Sequence, residues 1–185
     1  MEPTEKSPNG NFHTLSLLVQ NRSGVLTRIA GLFARRGYNI ESLAVGPTER
    51  PEYSRMTIVV RLEAKPVDQV IRQVQKLIPV IEVKELKPAD FVERELLLVK
   101  IRTPEEHHSE LRAIADTYEA LIVDVSPDAL MIEAAGTAAK LDALEERLAK
   151  YGIQELCRSG RIALERGFKT LAPPHLKEGG GPSPA

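Results

Sequence analysis

His13-Thr-Leu-Ser-Leu-Leu-Val-Gln20, then Asn21-Arg-Ser-Gly24, then Val25-Leu-Thr-Arg-Ile-Ala-Gly-Leu-Phe-Ala-Arg-Arg-Gly37: within this stretch the apolar period changes from that of a strand to that of a helix. Leu15, Leu17 and Val19 alternate and read as a strand. Leu18 breaks the alternation, which predicts burial on both faces of the sheet the strand enters. Leu26, Ile29, Leu32 and Phe33 share one face of a helix predicted over residues 24–36, and Gly37 supplies a left-handed stop.

Working outward, a second strand starts near Asn39 and a third near Arg55, where Met56, Ile58, Val60 and Leu62 alternate with Arg55, Thr57 and Arg61; Gly46-Pro47 to Pro51 forms the loop between them. Pro66 suits the first turn of a helix with the stripe Val67, Val70, Ile71, Val74 and Leu77, and Pro79 ends it before the strand Val80–Leu86. The order β-α-β-β-α-β then recurs. A strand over Glu95–Arg102 meets Thr103-Pro104-Glu105-Glu106, which reads as a capping box with proline at the first helical position. Leu111, Ile114, Ala115 and Tyr118 make that helix's buried face, and Leu121–Val125 and Ala129–Ala134 flank the hairpin turn Ser126-Pro127-Asp128. Thr137 caps a helix carrying Leu141, Leu144 and Leu148, Ile153–Cys157 is a final strand, and Arg161–Leu164 is a short addition.

The predicted class is α+β, two ferredoxin-like βαββαβ domains, each with two helices on one face of an antiparallel sheet. The expected boundaries are a disordered leader 1–11, a first domain 12–87, a linker 88–93, a second domain 94–167 and a disordered Pro/Gly-rich tail 168–185. Sheets this small, covered on one side, leave edges free for pairing, so dimerisation is expected.

The 185 residues carry 25 Lys and Arg against 26 Asp and Glu, a net charge of −1, and 42% are hydrophobic. That composition is globular and offers no net attraction to a polyanion, so no nucleic-acid partner is expected. No apolar run is long enough to span a bilayer, and the first ten residues lack the apolar core of a signal peptide, so no membrane association is expected. The single cysteine, Cys157, can form no intrachain disulfide, which fits a cytoplasmic, reducing compartment.

Catalytic patterns are not found. Neighbouring helical residues point about 100° apart, so His107-His108 reads as a solvated helix face rather than a metal pair. An edge hydrogen bond accounts for His13, and packing accounts for Cys157 beside Arg158. There is no P-loop, dinucleotide glycine fingerprint or nucleophile elbow. Neither a catalytic residue nor a metal or cofactor is expected in this chain.

The junction Asn21-Arg22-Ser23-Gly24-Val25-Leu26 does have binding logic. The first turn of a helix has N–H groups with no internal partner and a partial positive charge, which suits a carboxylate. Gly24 leaves the approach open, and the Asn21 amide both donates and accepts, as a zwitterion requires. Asn39, after the Gly37 stop, is a second amide near an exposed edge that could complete the site across a dimer boundary. The competing reading is structural: Ser23 caps the helix and both asparagines satisfy turns.

These same residues carry a resemblance. His13 through Leu43, with Pro47-Thr48 and Ser54-Arg-Met-Thr-Ile58, strongly resembles the ACT domain of acetolactate synthase (acetohydroxyacid synthase) regulatory subunits. Arg36-Gly-Tyr-Asn-Ile-Glu-Ser-Leu43 and Ser54-Arg-Met-Thr57 separate that family from other ACT proteins, and Val92-Glu-Arg-Glu-Leu96 with Leu98-Val-Lys-Ile101 resembles its second domain. The resemblance covers about residues 13–167. It implies a regulatory subunit without catalytic residues that dimerises through its ACT domains. Such a subunit activates a catalytic chain dependent on thiamine diphosphate, FAD and magnesium, and confers feedback inhibition by valine or a related branched-chain amino acid. Carried over by position, Asn21, Ser23, Gly24, Val25 and Leu26 would hold the effector's carboxylate and amine, and Asn39 and Ile40 would come from the opposing protomer. Arg22 stands where the family often has an acidic or other polar residue. The alternatives are a free-standing amino-acid sensor with another partner, against which the Tyr38–Leu43 segment argues, and an acylphosphatase-like enzyme using Arg22 and Asn39, which lacks the glycine-bounded cradle ending in Phe-Arg.

Overall fold

The strand that opens the sequence pattern lies inside its sheet. β1 (Phe12–Gln20) bonds on one side to β3 (Tyr53–Arg61) and on the other to β4 (Val80–Leu86), with β2 (Asn39–Pro47) outside β3. All three pairings are antiparallel. This is a computed structural model, and it describes residues 12–62 and 67–173. The leader 1–11, Pro66 and the tail from residue 174 lie outside the described residues.

Two compact units result: one runs to Val92 and takes the chain back from Ala163, and the other is Glu93–Ile162. In the first, Leu15, Leu17 and Val19 join Met56, Ile58 and Val60 in one core with Ile29 and Phe33 of α1 (Val25–Arg36) and Val70 and Val74 of α2 (Val67–Gln75). Burying each such side chain contributes roughly 1.5–3 kcal/mol. The helix α1 stops as the sequence indicates. Gly37 sits at φ 64° and donates to the Ala34 carbonyl, Tyr38 donates to the Phe33 carbonyl, and the Phe33 and Tyr38 rings meet edge to face at 5.8 Å.

The opposite face of this sheet is buried too, as Leu18 predicts: that side chain is 3% exposed, and Ser16, Thr57 and Val59 are buried with it. The returning segment binds here. The Ala163 N–H donates to Thr57 Oγ1 at 3.3 Å, Lys84 Nζ lies 2.6 Å from both Glu165 carboxylate oxygens, and Arg55 Nη2 donates to the Leu171 carbonyl at 3.5 Å. Leu171 is 8% exposed. Leu171 and Pro173, expected to belong to the disordered tail, are therefore buried, while Phe168 stands fully exposed. The segment from Ala163, expected within the second domain, belongs to the first unit. The expected linker shortens likewise. β5 (Phe91–Arg102) starts at Phe91 and pairs with β9 (Ile162–Glu165) as well as with its sheet neighbours, so a turn at Lys87–Asp90 is what remains.

The second unit has the sheet order β6 (Leu121–Ser126), β7 (Ala129–Gly136), β5, β8 (Ile153–Arg158), with α3 (His108–Thr117) and α4 (Ala138–Ala149). Leu97, Val99 and Ile101 share its core with Leu111, Leu130, Ile132, Leu141, Leu144 and Leu148. Thr137 caps α4 as expected, accepting from the Lys140 N–H at 3.3 Å. The capping box at Thr103 does not form. Its hydroxyl donates to the Pro104 carbonyl at 3.4 Å, its N–H goes to the Asp128 carbonyl, and a 3-10 turn over Glu105–His107 precedes α3. Delaying the helix turns His108 inward, where it is 8% exposed rather than part of a solvated face.

Candidate functional site

The entrance to α1 is built on Gly24, which stands in the left-handed region at φ 80° and ψ −5° as the helix N-cap. Glycine adopts that conformation at little cost, whereas a side chain is strained there. A Cβ placed on Gly24 would meet nothing within 4 Å, so the space over the turn is open. No side chain caps the helix, which removes the capping role from Ser23. The first internal bond is from the Arg28 N–H to the Gly24 carbonyl at 3.1 Å. A turn across Ser23 and Gly24 closes onto Arg22 and takes up one N–H of the opening turn, and the others among Val25, Leu26 and Thr27 have no partner among the described residues. No acidic side chain occupies the first turn, so the positive end of the dipole is uncompensated there. Val25 is rooted in the core, while Leu26, 44% exposed, places an apolar side chain beside the turn. Chemically this is a cradle for a carboxylate with an aliphatic neighbour.

Asn21, just before the turn, is tied to the β2–β3 loop. Its backbone N–H donates to the Glu52 carbonyl and its side-chain Nδ2 to the Pro51 carbonyl, both at 2.8 Å. That second bond fixes which end of the amide is which and leaves Oδ1 as an acceptor. The loop is organised by Thr48, whose Oγ1 donates to the Arg50 carbonyl at 3.0 Å and accepts the Arg50 N–H at 3.2 Å, while its N–H donates to the Tyr53 carbonyl. Sequence reasoning misses the Pro51 and Glu52 carbonyls because backbone groups carry no residue signature.

Asn39 opens β2, the edge strand, and its Nδ2 donates to Glu41 Oε1. Ile40 is half-buried and packs against the first unit's core. The sheet register decides where these residues lie. Asn39 is level with Arg61, which is level with Phe12, whereas Asn21 follows Gln20, which is level with Tyr53. Eight residues of strand separate the two ends, about 26 Å at ~3.3 Å per residue. One chain therefore brings together Asn21, Ser23, Gly24, Val25 and Leu26 and keeps Asn39 and Ile40 away from them.

Elsewhere the polar groups serve the fold. His13 Nδ1 meets Glu85 Oε1 of β4 at 2.7 Å, a bond between neighbouring strands, since β1 lies inside the sheet and not at its edge. Arg158 bridges Glu95 and Asp142 at 2.9 and 2.6 Å. Burial lowers the pKa of Arg55, with Glu49 and Glu82 opposing that shift. Among the described residues no group of three or more His, Cys, Asp or Glu could hold a metal ion, and no helix is long and apolar enough to cross a membrane.

Comparison with known proteins resolves the family. Residues 15–82 match the family model described as an AHAS small subunit-like ACT domain, and residues 94–167 match the model for the small subunit of acetolactate synthase. The chain belongs to the acetolactate synthase small-subunit family. Relatives within it include the probable acetolactate synthase small subunit of Archaeoglobus fulgidus, 49% identical over 85% of this chain and 98% of that one. The acetolactate synthase small subunit of Mycolicibacterium smegmatis is 46% identical over 84% of this chain and 91% of its own. The crystal structure of the acetolactate synthase small subunit from Thermotoga maritima superposes with a TM-score of 0.79 at 36% identity, covering 84% of this chain and 98% of that one. Membership makes this the small, regulatory chain of its enzyme type rather than the catalytic one, with the first unit as its ACT domain.

Proposed function

We propose that this chain binds valine or a closely related branched-chain amino acid at the α1 entrance, in a cradle completed by Asn39 and Ile40 of a second copy. Through that site it regulates the catalytic chain of acetolactate synthase, activating it and conferring feedback inhibition. Thiamine diphosphate, FAD and magnesium belong to that partner, and the pair works in the cytoplasm, consistent with the free, exposed Cys157.

The observation that carries the reading is the open, left-handed Gly24 turn with unpartnered N–H groups and no acidic neighbour. Its N–H groups suit the effector's carboxylate, Asn21 Oδ1 suits its ammonium, and exposed Leu26 suits a branched aliphatic side chain. The separation of Asn21 from Asn39 supports a site shared between copies. β2 has β3 on one side and an unpaired edge on the other among the described residues, and a two-fold axis beside it would bring the Asn39 end of one copy towards the Asn21 end of its partner.

Charge-assisted hydrogen bonds contribute roughly 1.5–3 kcal/mol each, and a buried aliphatic side chain about as much. After the entropy of association, micromolar to millimolar affinity is the expected range. Calorimetric titration with valine, leucine and isoleucine, followed by assay of the reconstituted enzyme with and without the tightest binder, tests the proposal. Saturable binding that tracks inhibition supports it, and absence of heat with all three amino acids overturns it.

A further inference from the structure

Asn21 serves an amino acid only if its amide is turned the right way, and a neighbouring loop sets that orientation. With Nδ2 donating to the Pro51 carbonyl at 2.8 Å, Oδ1 is presented as an acceptor. Flipping the amide would set two oxygens against each other, so the orientation lasts as long as the Pro51 carbonyl stays in place. What keeps it there is local. Proline fixes its own φ, and the turn around it closes through the Thr48 hydroxyl, which both donates to the Arg50 carbonyl and accepts the Arg50 N–H, with the Tyr53 carbonyl 3.3 Å away. The Tyr53 N–H adds a bond to the Arg50 carbonyl at 3.0 Å, and the Asn21 N–H ties the loop's far end through Glu52.

We propose that Thr48 is a positioning residue of the amino-acid site, acting through the Pro51 carbonyl on the Asn21 amide, so that the β2–β3 loop and the site are thermodynamically coupled. The inference rests on the α1 entrance being the amino-acid cradle. Coupling is reciprocal. An amino acid that engages Oδ1 strengthens the loop in this conformation, and anything that draws the loop away from Asn21 weakens the amino acid's hold.

The test compares Thr48→Val, which keeps shape and loses the hydroxyl, with Thr48→Ser, which keeps the hydroxyl, in the full-length protein. Calorimetry with valine should give a Kd about fivefold or more weaker for Thr48→Val and within about twofold of wild type for Thr48→Ser. Hydrogen exchange on the wild type provides a readout independent of the variants' folding: valine should slow exchange of the Asn21 and Tyr53 amides. If Thr48→Val binds like wild type while Asn21→Ala does not, or if both Thr48 variants lose binding equally, the positioning role is wrong and the cradle stands. If valine leaves the two amides unchanged while still binding through Asn21, the coupling is likewise wrong. If wild type binds no valine at all, the cradle fails and the inference falls with it.

Discussion

The β1–α1 and β5–α3 junctions occupy equivalent places in a repeated fold and are chemically opposite. In the first, the chain passes through a left-handed glycine into a helix whose opening turn has no acidic side chain and lies under open space. In the second, Thr103 is buried, Pro104 leads a 3-10 turn, and Glu105, Glu106 and Glu110 gather around the start of the helix. Carboxylates already placed near a helix N-terminus compensate its dipole and repel an incoming anion. A shared fold therefore says little about where a ligand goes; the few residues of the junction decide it.

The largest expected effect comes from giving the first junction what the second already has. Gly24→Asp places a carboxylate over the unpartnered N–H groups, and aspartate tolerates the left-handed region better than most residues. Binding of valine should disappear from calorimetric titrations, while stability in urea falls by about 1–2 kcal/mol. Retained valine binding would remove the distinction between the junctions.

Next in size is a change confined to the second unit. Arg158→Met leaves Glu95, buried with its partner gone, as an uncompensated carboxylate, and should destabilise the protein by roughly 2–4 kcal/mol in denaturant unfolding. Valine affinity should stay at the wild-type value. A parallel loss of affinity would mean that the second unit contributes to the cradle.

Smaller still is a pH effect in the first unit. Burial raises the Glu85 pKa, but its bonds to His13 and Lys87 outweigh burial and hold the carboxyl below the usual range. A lowered folded-state pKa gives stability that is present above the unfolded value and is lost as pH falls through the folded one. Between about pH 6 and pH 3 wild type should therefore lose more stability than Glu85→Gln, measured by circular dichroism in urea. Parallel pH profiles would show that the His13–Glu85–Lys87 contact adds nothing.

Much of the fold is legible because local periods are strong. The switch at Asn21–Gly24, the double-sided burial marked by Leu18, the stop at Gly37 and the cap at Thr137 all have local physical causes, and the structure realises each of them. What escapes is long-range. Nothing around Phe91 announces that β9 will pair with it, and nothing around Leu171 announces a buried place beside Arg55, because each partner lies far away in the chain. Thr103 fails as a cap for the same reason: Asp128, across the hairpin, claims its N–H and draws it inward. Within the site, Gly24 and its open turn are readable from residue type, whereas the Pro51 and Glu52 carbonyls that orient Asn21 are not. The distance between Asn21 and Asn39 becomes visible only once the register of β1, β2 and β3 is known.

That distance supplies the most direct measurement. Asn21→Ala and Asn39→Ala variants, each alone, should bind valine about tenfold or more weakly. Mixed and allowed to exchange subunits, they should regain wild-type affinity at one of the two sites of every mixed dimer, because that site draws Asn21 from one chain and Asn39 from the other. Calorimetry of the mixture that finds only the weak binding of the separate variants would contradict a cradle shared between two copies.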